Sequence, residues 1–339
     1  MGKTVGFYGG KFTPLHNGHV YAMLMASVMV DELHVIVCYD EDSEKNELHK
    51  DSLAPYFSYQ IRARWWKEIT KHMPHVQVHT VYNPNTMNIK DWQIGAEEIK
   101  RVIGKPISHV FSSDSSYDVF FETLYPEANH IVLDEKRERF PISSTVIRRD
   151  GVFAHWDMIP KAVQRYFVKK VVVIGSESCG KSTLVKNLAL IYGTNYAEEQ
   201  GRTYYEELND YDYFSDEDLI RIAYRQKYFE EKAVYQSNKL LFCDTEATVT
   251  RRFYNEYLGK DHDLLREIAI QQHYDLWLFL EDDVSFVDDG TRGYVGDRTY
   301  SSQLLKRLLS EQNISYTILQ GSYEERLKKA IIEIDKLLI

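Results

Sequence analysis

The sequence has few cysteines, no long apolar run and no excess of positive charge, and each shortage excludes a class of protein. Three cysteines in 339 residues, Cys38, Cys179 and Cys243, are too few and too scattered for a disulfide framework or a zinc ribbon. The longest apolar stretches, such as residues 171–175, are far shorter than the roughly 20 residues that a membrane-spanning helix needs. The first residues also lack the basic region and apolar core of a secretory signal. A cytoplasmic protein is expected.

The charge balance is acidic, with a formal net charge of −10. Non-specific nucleic-acid binding depends on clustered Lys and Arg that neutralise phosphates, so this balance argues against it. Small anionic ligands are still compatible with the sequence, because local loops and helix N-termini bind them whatever the net charge.

Short β-type runs alternate with helical patterns along the whole chain. Strands are predicted at residues 4–8, 33–38, 76–82, 108–112, 130–133, 170–174, 195–197, 239–243, 276–280 and 315–319. Helices are predicted at residues 18–30, 58–71, 92–103, 156–167, from 181 onward, and at 216–236. This alternation predicts an α/β protein built from parallel, doubly wound sheets.

The chain is too long for one ordinary domain, and the pattern restarts after Gly151. A helical stretch over residues 156–167 leads there into a new buried strand. We therefore predict two domains, residues 1–160 and 168–339, joined by a packed helix.

The second predicted domain opens with a phosphate-binding loop. Residues 175–182 fit G-x-x-x-x-G-K-[ST] between a strand and a helix. In such a loop, backbone N–H groups surround the phosphates, Lys181 reaches the β and γ phosphates, and the Ser182 hydroxyl binds Mg²⁺. The predicted nucleotide-binding residues are Gly175, Ser178, Gly180, Lys181, Ser182 and Thr183.

Two acidic segments follow neighbouring strands of that domain. Asp244 ends a buried strand, where it would hold Mg²⁺, accept the proton of an attacking hydroxyl, or only cap the next helix. Glu199 and Arg202 follow the preceding strand, as a catalytic and a substrate-binding residue, with pairing of the acid to a helix dipole as the alternative. Further along, Arg292 and Arg298 lie in a polar, Gly-rich segment that would form either a lid over the phosphoryl group or a solvated loop.

The first predicted domain opens with a Gly/Pro-rich turn followed by two histidines. His16 and His19 are three residues apart and would share one face of a helix start. Zinc binding needs further ligands that the sequence does not supply. A structural role at the helix start and phosphate binding by imidazole N–H groups are the other interpretations.

The surrounding pattern favours phosphate binding, because it resembles the HIGH-type nucleotidyltransferase superfamily. The first signature of that superfamily, G-x-F-x-P-x-H-x-G-H, is matched by residues 10–19, and the second, I-S-S-T-x-I-R, by residues 142–148. The resemblance implies that His16 and His19 bind the α and β phosphates of ATP and that Arg148 binds the β and γ phosphates. The further nucleotide-binding residues that it implies are Gly9, Gly10, Lys11, Phe12, Ser143, Ser144 and Thr145.

A transferase of this kind followed by a P-loop kinase resembles the NadR-type proteins over nearly the whole chain. The resemblance implies ATP-dependent phosphorylation of nicotinamide riboside to the mononucleotide (NMN), then adenylyl transfer from a second ATP to give NAD. The cofactor implied is Mg²⁺, bound by Ser182 and Asp244. Trp92 is a candidate for stacking on the nicotinamide ring, with ordinary helix packing as the alternative. Asp288 and Asp289 are candidates for binding the riboside hydroxyls.

Several alternatives stay open from the sequence. A bifunctional coenzyme A synthase also joins such a transferase to a P-loop kinase, and a nucleotide-sensing regulator with a degenerate site is a second possibility. Many NadR proteins carry an N-terminal helix-turn-helix; no residues precede the first predicted strand to form one, so DNA binding is not expected. Related proteins also leave open a homo-oligomer and a functional link to a membrane riboside transporter.

Overall fold

A computed structural model of the protein describes residues 2–84, 86, 88–208, 215–284 and 297–338. The chain divides into two compact units, Met1–Gln164 and Arg165–Ile339. Each unit contains one five-stranded sheet, and every strand pair in both sheets is parallel. The predicted α/β fold with two parallel sheets is confirmed. Within the described ranges, no helix is both long enough and apolar enough to cross a membrane.

The first unit has a sheet whose strand order reverses beside the central strand. Its strands are β1 (Val5–Gly10), β2 (Glu32–Tyr39), β3 (Val76–Tyr82), β4 (His109–Ser112) and β5 (Asn129–Val132), in the order β3-β2-β1-β4-β5. Its helices are α1 (Asn17–Ser27), α2 (Glu41–Ser43), α3 (Tyr59–Ile69), α4 (Ile89–Ile103), α5 (Asp118–Leu124), α6 (Ser144–Asp150) and α7 (Lys161–Gln164), with a π-helical turn at Glu44–Leu48 and 3₁₀ turns at Ser115–Tyr117 and Phe153–Met158. Parallel sheets bind ligands at such a reversal, beyond the carboxyl ends of the strands. The β1–α1 loop lies there.

The second unit repeats this arrangement around its own central strand. Its strands are β6 (Lys169–Gly175), β7 (Asn195–Ala197), β8 (Leu240–Asp244), β9 (Leu276–Leu280) and β10 (Thr317–Leu319), in the order β10-β9-β6-β8-β7. Its helices are α8 (Lys181–Tyr192), α9 (Gln200–Leu208), α10 (Asp216–Val234), α11 (Ala247–Leu258), α12 (Asp263–Gln271), α13 (Arg298–Glu311) and α14 (Tyr323–Asp335), followed by a 3₁₀ turn at Lys336–Leu338. The β6–α8 loop is the predicted phosphate-binding loop.

In the second unit, helices cover both faces of the sheet. Successive residues of a strand point to opposite faces. Val171 and Val173 pack with apolar residues of α8 and α14, whereas Val172 and Ile174 pack with residues of α10, α11 and α13. A strand buried on both sides reads as a continuous apolar run, as this one does.

The segment between the two sheets differs from the predicted single helix at residues 156–167. The structure has a 3₁₀ turn at Phe153–Met158 and a one-turn helix at Lys161–Gln164. Pro160 separates them because proline disfavours a helical conformation in the residue before it, and Ile159 is extended (φ −89°, ψ 127°). The buried Gln164 side chain donates to the carbonyl oxygens of Trp156 (3.0 Å) and Ile159 (3.2 Å).

Candidate active sites

The loop after β1 is held in shape by contacts from elements far away in the sequence. The Arg62 guanidinium donates to the Lys11 carbonyl oxygen and forms a fully buried ion pair with Glu44 (2.5 Å). The Thr13 hydroxyl lies 2.6 Å from His49 Nε2. Phe12, at φ 53°, packs edge-on against the His19 ring, with ring centroids 5.1 Å apart. The backbone of the first signature is therefore fixed before any ligand binds.

The two signature histidines form a stacked, buried pair. Their ring centroids are 3.7 Å apart at an interplanar angle of 22°. Burial, together with the positive charge of Arg137, lowers the pKa of His16 to about 3. Burial also holds the pKa of His19 well below its usual value, helped by His16 and Arg137. Both imidazoles are thus uncharged at neutral pH, and each has one N–H to donate.

A glycine makes room for this pair. A Cβ atom at Gly18 would lie 3.0 Å from His16 Nδ1, closer than ordinary van der Waals contact. Among the described residues, that buried nitrogen has no hydrogen-bond partner. The glycine of the first signature therefore allows the His16 ring to occupy its position.

The second signature contacts the first one directly. Helix α6 is capped by the Ser143 hydroxyl, which accepts from the Val146 N–H (3.2 Å). The Ser144 hydroxyl donates to the Pro14 carbonyl oxygen (2.9 Å), and Arg148 donates to the carbonyl oxygen of Thr13 (2.6 Å). Arg148 also donates to the Thr145 hydroxyl (3.2 Å). Two segments about 130 residues apart in sequence are thereby brought into one site.

Sequence reasoning assigned no role to Arg137, although this residue belongs to the site. Its positive charge lowers the pKa values of both His16 and His19 and acts on Asp114 as well. Arg137 has φ 51° in a turn closed by its N–H donating to the Asp134 carbonyl oxygen (2.8 Å). The turn precedes the second signature, and no sequence spacing indicates which groups its guanidinium faces.

Trp92 packs within an aromatic cluster on α4 and α5. Its ring stacks on Phe120 (4.4 Å, 23°) and lies 5.2 Å from the Tyr117 ring, and its Nε1 donates to the Thr86 carbonyl oxygen (2.8 Å). Packing within the protein thus accounts for part of the Trp92 surface. Since the residue is partly exposed, stacking on a ligand stays a prediction.

In the second unit, two glycines shape the phosphate-binding loop. A Cβ at Gly175 would lie 2.6 Å from the Leu280 carbonyl oxygen, so the loop can leave β6 this close to β9 only with glycine. Gly180 has φ 90°, and a Cβ there would lie 3.0 Å from Tyr323. Lys181 donates to the Ser176 carbonyl oxygen across the loop (2.7 Å).

The structure gathers five predicted kinase-site residues around the end of β8. Asp244 is 3% exposed and accepts a hydrogen bond from the Ser182 hydroxyl. Burial and the negative charge of Glu199 raise the pKa of Asp244 to about 6, while Lys181 and Arg202 act in the opposite direction. The residues come from α8, from α9 with the segment before it, and from β8.

Two oxygens of this group suit a magnesium ion. Mg²⁺ prefers oxygen ligands and binds through one or two protein groups together with substrate phosphates and water. Asp244 Oδ1 is buried and lacks a hydrogen-bond partner among the described residues, next to the Ser182 hydroxyl. Over the same ranges, no three His, Cys, Asp or Glu side chains are placed to hold a metal ion by themselves. Phosphate oxygens would have to complete the site.

Two buried arginines that sequence reasoning missed support the phosphate-binding loop. Arg252 of α11 pairs with Glu177 of the loop (2.6 Å) and with Glu256 (2.8 Å). Arg326 of α14 donates to the carbonyl oxygens of Cys179 (2.9 Å) and Glu281 (3.1 Å). Each is 1% exposed, and Glu177, Cys179 and Glu281 are distant from them in sequence, so no local motif indicates the contacts with the loop.

Of the four predicted residues between β9 and the start of α13, only Arg298 lies among the described residues. Arg298 is the first residue of α13 and donates to the Val284 carbonyl oxygen (3.0 Å). Arg292, Asp288 and Asp289 lie outside the described residues, so their predicted roles stay predictions.

Comparison with known proteins follows the same division of the chain. The cytidylyltransferase-like family matches residues 7–150, and an AAA domain family matches residues 170–326. The chain is 31% identical over 342 residues to the trifunctional NAD biosynthesis/regulator protein NadR of Escherichia coli, covering 97% of this chain and 82% of that protein. The NadR of Salmonella typhimurium matches with the same identity and coverage.

The chain belongs to the NadR family. The resemblance predicted from the two signatures and the P-loop is thereby confirmed. Two crystal structures of NadR share the fold of this family member, one in complex with NAD and AMP-PNP (TM-score 0.80, 23% identity) and one in complex with NR (TM-score 0.81, 24% identity). Both cover 99% of this chain and 96% of the compared chain.

This NadR-family chain also has more distant relatives. It is 25% identical over 148 residues to a phosphopantetheine adenylyltransferase of Streptococcus pneumoniae, covering 44% of this chain and 83% of that protein. That likeness covers less than half of this chain, whereas the likeness to NadR covers 97% of it.

Proposed function

We propose that the chain makes NAD from nicotinamide riboside in two ATP-dependent steps, with the kinase step in the second unit and adenylyl transfer in the first. The observation that carries the proposal is that both signatures of the first unit meet in one site while the P-loop of the second unit faces Asp244. Family membership over 97% of the chain supports the choice of nicotinamide substrates.

In the kinase step, the riboside 5′-hydroxyl oxygen bonds to the γ-phosphorus of ATP, and the bond between that phosphorus and the bridging oxygen of ADP breaks. Asp244 and Glu199 are the candidate catalytic carboxylates. Asp244, whose pKa burial raises to about 6, suits the acceptance of a hydroxyl proton near neutral pH. The alternative or additional role of Asp244 is to hold Mg²⁺ together with Ser182. When bound, Mg²⁺ neutralises charge on the β and γ phosphates.

In the transfer step, a phosphate oxygen of NMN bonds to the α-phosphorus of ATP, and pyrophosphate leaves. No proton has to be removed from an ionised phosphate, so the site requires positioning and charge stabilisation without a general base. The neutral His16 and His19 would donate N–H hydrogen bonds to the α and β phosphates. Arg148, and the newly identified Arg137, would supply positive charge.

The cellular setting is part of the same proposal. All three cysteines are buried and free, which suits a reducing cytoplasm. Phosphorylation gives the riboside a charge that prevents its return through a membrane, which supports a functional link to a riboside transporter. We also propose that the chain forms a homo-oligomer, which measurement of its molecular mass in solution would test.

Substrate choice distinguishes this proposal from the coenzyme A alternative. Purified protein with ATP and Mg²⁺ would be given, in separate reactions, nicotinamide riboside, NMN, phosphopantetheine or dephospho-coenzyme A. ADP formed with the riboside and pyrophosphate formed with NMN are expected. Turnover of the two pantetheine substrates alone would overturn the assignment in favour of coenzyme A synthesis.

A further inference from the structure

A buried amide side chain links the two acidic segments of the kinase site. Gln226 of α10 is 2% exposed. Its Oε1 accepts from the Gln200 N–H (3.1 Å), and its Nε2 donates to the Asp244 carbonyl oxygen (3.5 Å). One side chain therefore holds the main chains of two segments that are 44 residues apart.

The Gln226 link lies just beyond the point where the hydrogen-bonded pairing of strands β7 and β8 ends. Strands β7 and β8 pair only as far as Ala197 and Cys243. Glu199 and Asp244 lie just beyond this pairing, as two carboxylates of like charge. Gln226 bridges the main chain at Gln200 and Asp244 and so continues the connection past the end of the ladder.

The orientation of the amide is fixed from the other side. Gln226 Nε2 also donates to Glu230 Oε1 (3.4 Å), which in turn accepts from the Tyr274 hydroxyl (2.8 Å). The second Glu230 oxygen faces Lys170 Nζ (3.3 Å). With its donor end held by Glu230, Gln226 presents its acceptor end to Gln200.

We propose that Gln226 is a positioning residue of the kinase site, which sets the separation of the Glu199–Arg202 segment from Asp244 and is itself oriented by Glu230. The inference rests on the proposed kinase function. Gln226 has no contact with the phosphate-binding loop among its described hydrogen bonds, so it affects the carboxylates and not the anchoring of ATP.

Replacement of Gln226 tests this role through a split between kcat and KM. Misplacement of reacting groups by about 1 Å costs on the order of 100-fold in rate, so Gln226→Met should lower kcat for riboside phosphorylation about 10- to 100-fold. The KM for ATP should stay within about threefold, because Lys181 and its loop are untouched. Gln226→Glu keeps the acceptor for the Gln200 N–H but loses the donor to Glu230 and to the Asp244 carbonyl oxygen, so it should lower kcat as well.

Two controls separate positioning from general damage. Gln312 also bridges two helices, donating to the Thr248 hydroxyl (3.3 Å), and Gln312→Met should leave kinase kcat unchanged. Adenylyl transfer to NMN, a function of the other unit, should be unchanged in every variant.

The outcomes are distinct. Equal kcat values for Gln226→Met and Gln312→Met, or a loss confined to the KM for ATP, would overturn the inference. If Gln226→Met does not fold, Gln226→Glu decides, and an unaltered kcat in that variant would contradict the role. Absence of riboside phosphorylation by the unaltered protein would overturn the proposed function, and the inference with it.

Discussion

His16 and His19 differ from histidines on a protein surface because they are stacked against each other and enclosed. An exposed histidine has a pKa of about 6.5 and changes charge near neutral pH. Here burial lowers the pKa of His16 to about 3 and holds that of His19 well below 6.5. The ligand-free protein should therefore present two uncharged N–H donors across the physiological pH range.

This charge state can be measured directly. In the ligand-free protein, the ring resonances of His16 and His19 should not titrate between about pH 5 and 8 when followed by NMR. Spectra of His16→Asn and His19→Asn would assign the two signals. A midpoint near pH 6.5 for either ring would contradict the enclosed, neutral pair.

Gly18 offers a second test at the residue scale. Gly18→Ala adds a Cβ 3.0 Å from His16 Nδ1, so the ring must shift, although alanine favours a helix by about 1 kcal/mol over glycine. Adenylyl transfer should fall at least about 10-fold with no loss of thermal stability. Gly201→Ala, where the nearest atom lies at 3.7 Å, should leave adenylyl transfer unchanged. Equal transfer rates for the two variants would contradict the fit of Gly18 to His16.

Residues inside local motifs could be predicted from sequence, and residues that act across the fold could not. The P-loop and the two signatures have fixed spacings, and the structure brings Lys181 and Ser182 beside the predicted Asp244. Arg137 lies before the second signature in a segment that also resembles the NadR-type proteins, but that resemblance gave it no role, and Arg252 has no such pattern. Arg252 meets Glu177 across 75 residues of chain, and only the folded sheet places them together.

At the scale of elements, helix α11 stabilises the phosphate-binding loop through an ion pair inside the protein. Arg252 is 1% exposed and forms ion pairs with both Glu177 and Glu256. Removal of one partner of a buried pair leaves an uncompensated charge and costs about 3–5 kcal/mol. We expect Arg252→Met to lower the free energy of unfolding of the second unit by that amount in a denaturant titration.

The control for that prediction is an ion pair on the surface of the next helix. Arg266 pairs with Asp263 (2.5 Å) and its side chain is 43% exposed, so Arg266→Met should cost about 1 kcal/mol or less. If Arg252→Met costs no more than Arg266→Met, the loop does not depend on the buried pair.

The elements themselves were predictable to different degrees. Short β-type runs in the sequence identified every strand of the described residues, and the predicted bounds of β3, β7 and β9 are those observed. The predicted helix at residues 156–167 was wrong, because Pro160 disfavours helix in the preceding residue. Helices α11 to α14 were not among the predicted helices, although Ser322 and Glu325 form a capping box at the start of α14 that the sequence itself shows.

At the scale of the whole molecule, the proposed function gives each of the two units its own site for a triphosphate. Lys181 and Asp244 belong to the second unit, and His19 and Arg148 to the first. A substitution in one site should therefore remove one step and leave the other, with NMN as the compound that connects them.

The most direct measurement of this account follows NMN and NAD by chromatography in reactions with ATP and Mg²⁺, started from nicotinamide riboside or from NMN. The unaltered protein should make NAD from both. The Lys181→Met variant should make NAD when the reaction starts from NMN but not when it starts from the riboside. The His19→Asn variant should convert the riboside to NMN and make no NAD. Failure of the unaltered protein to turn over either substrate, or loss of both steps in a single variant, would contradict a kinase and an adenylyltransferase in separate sites.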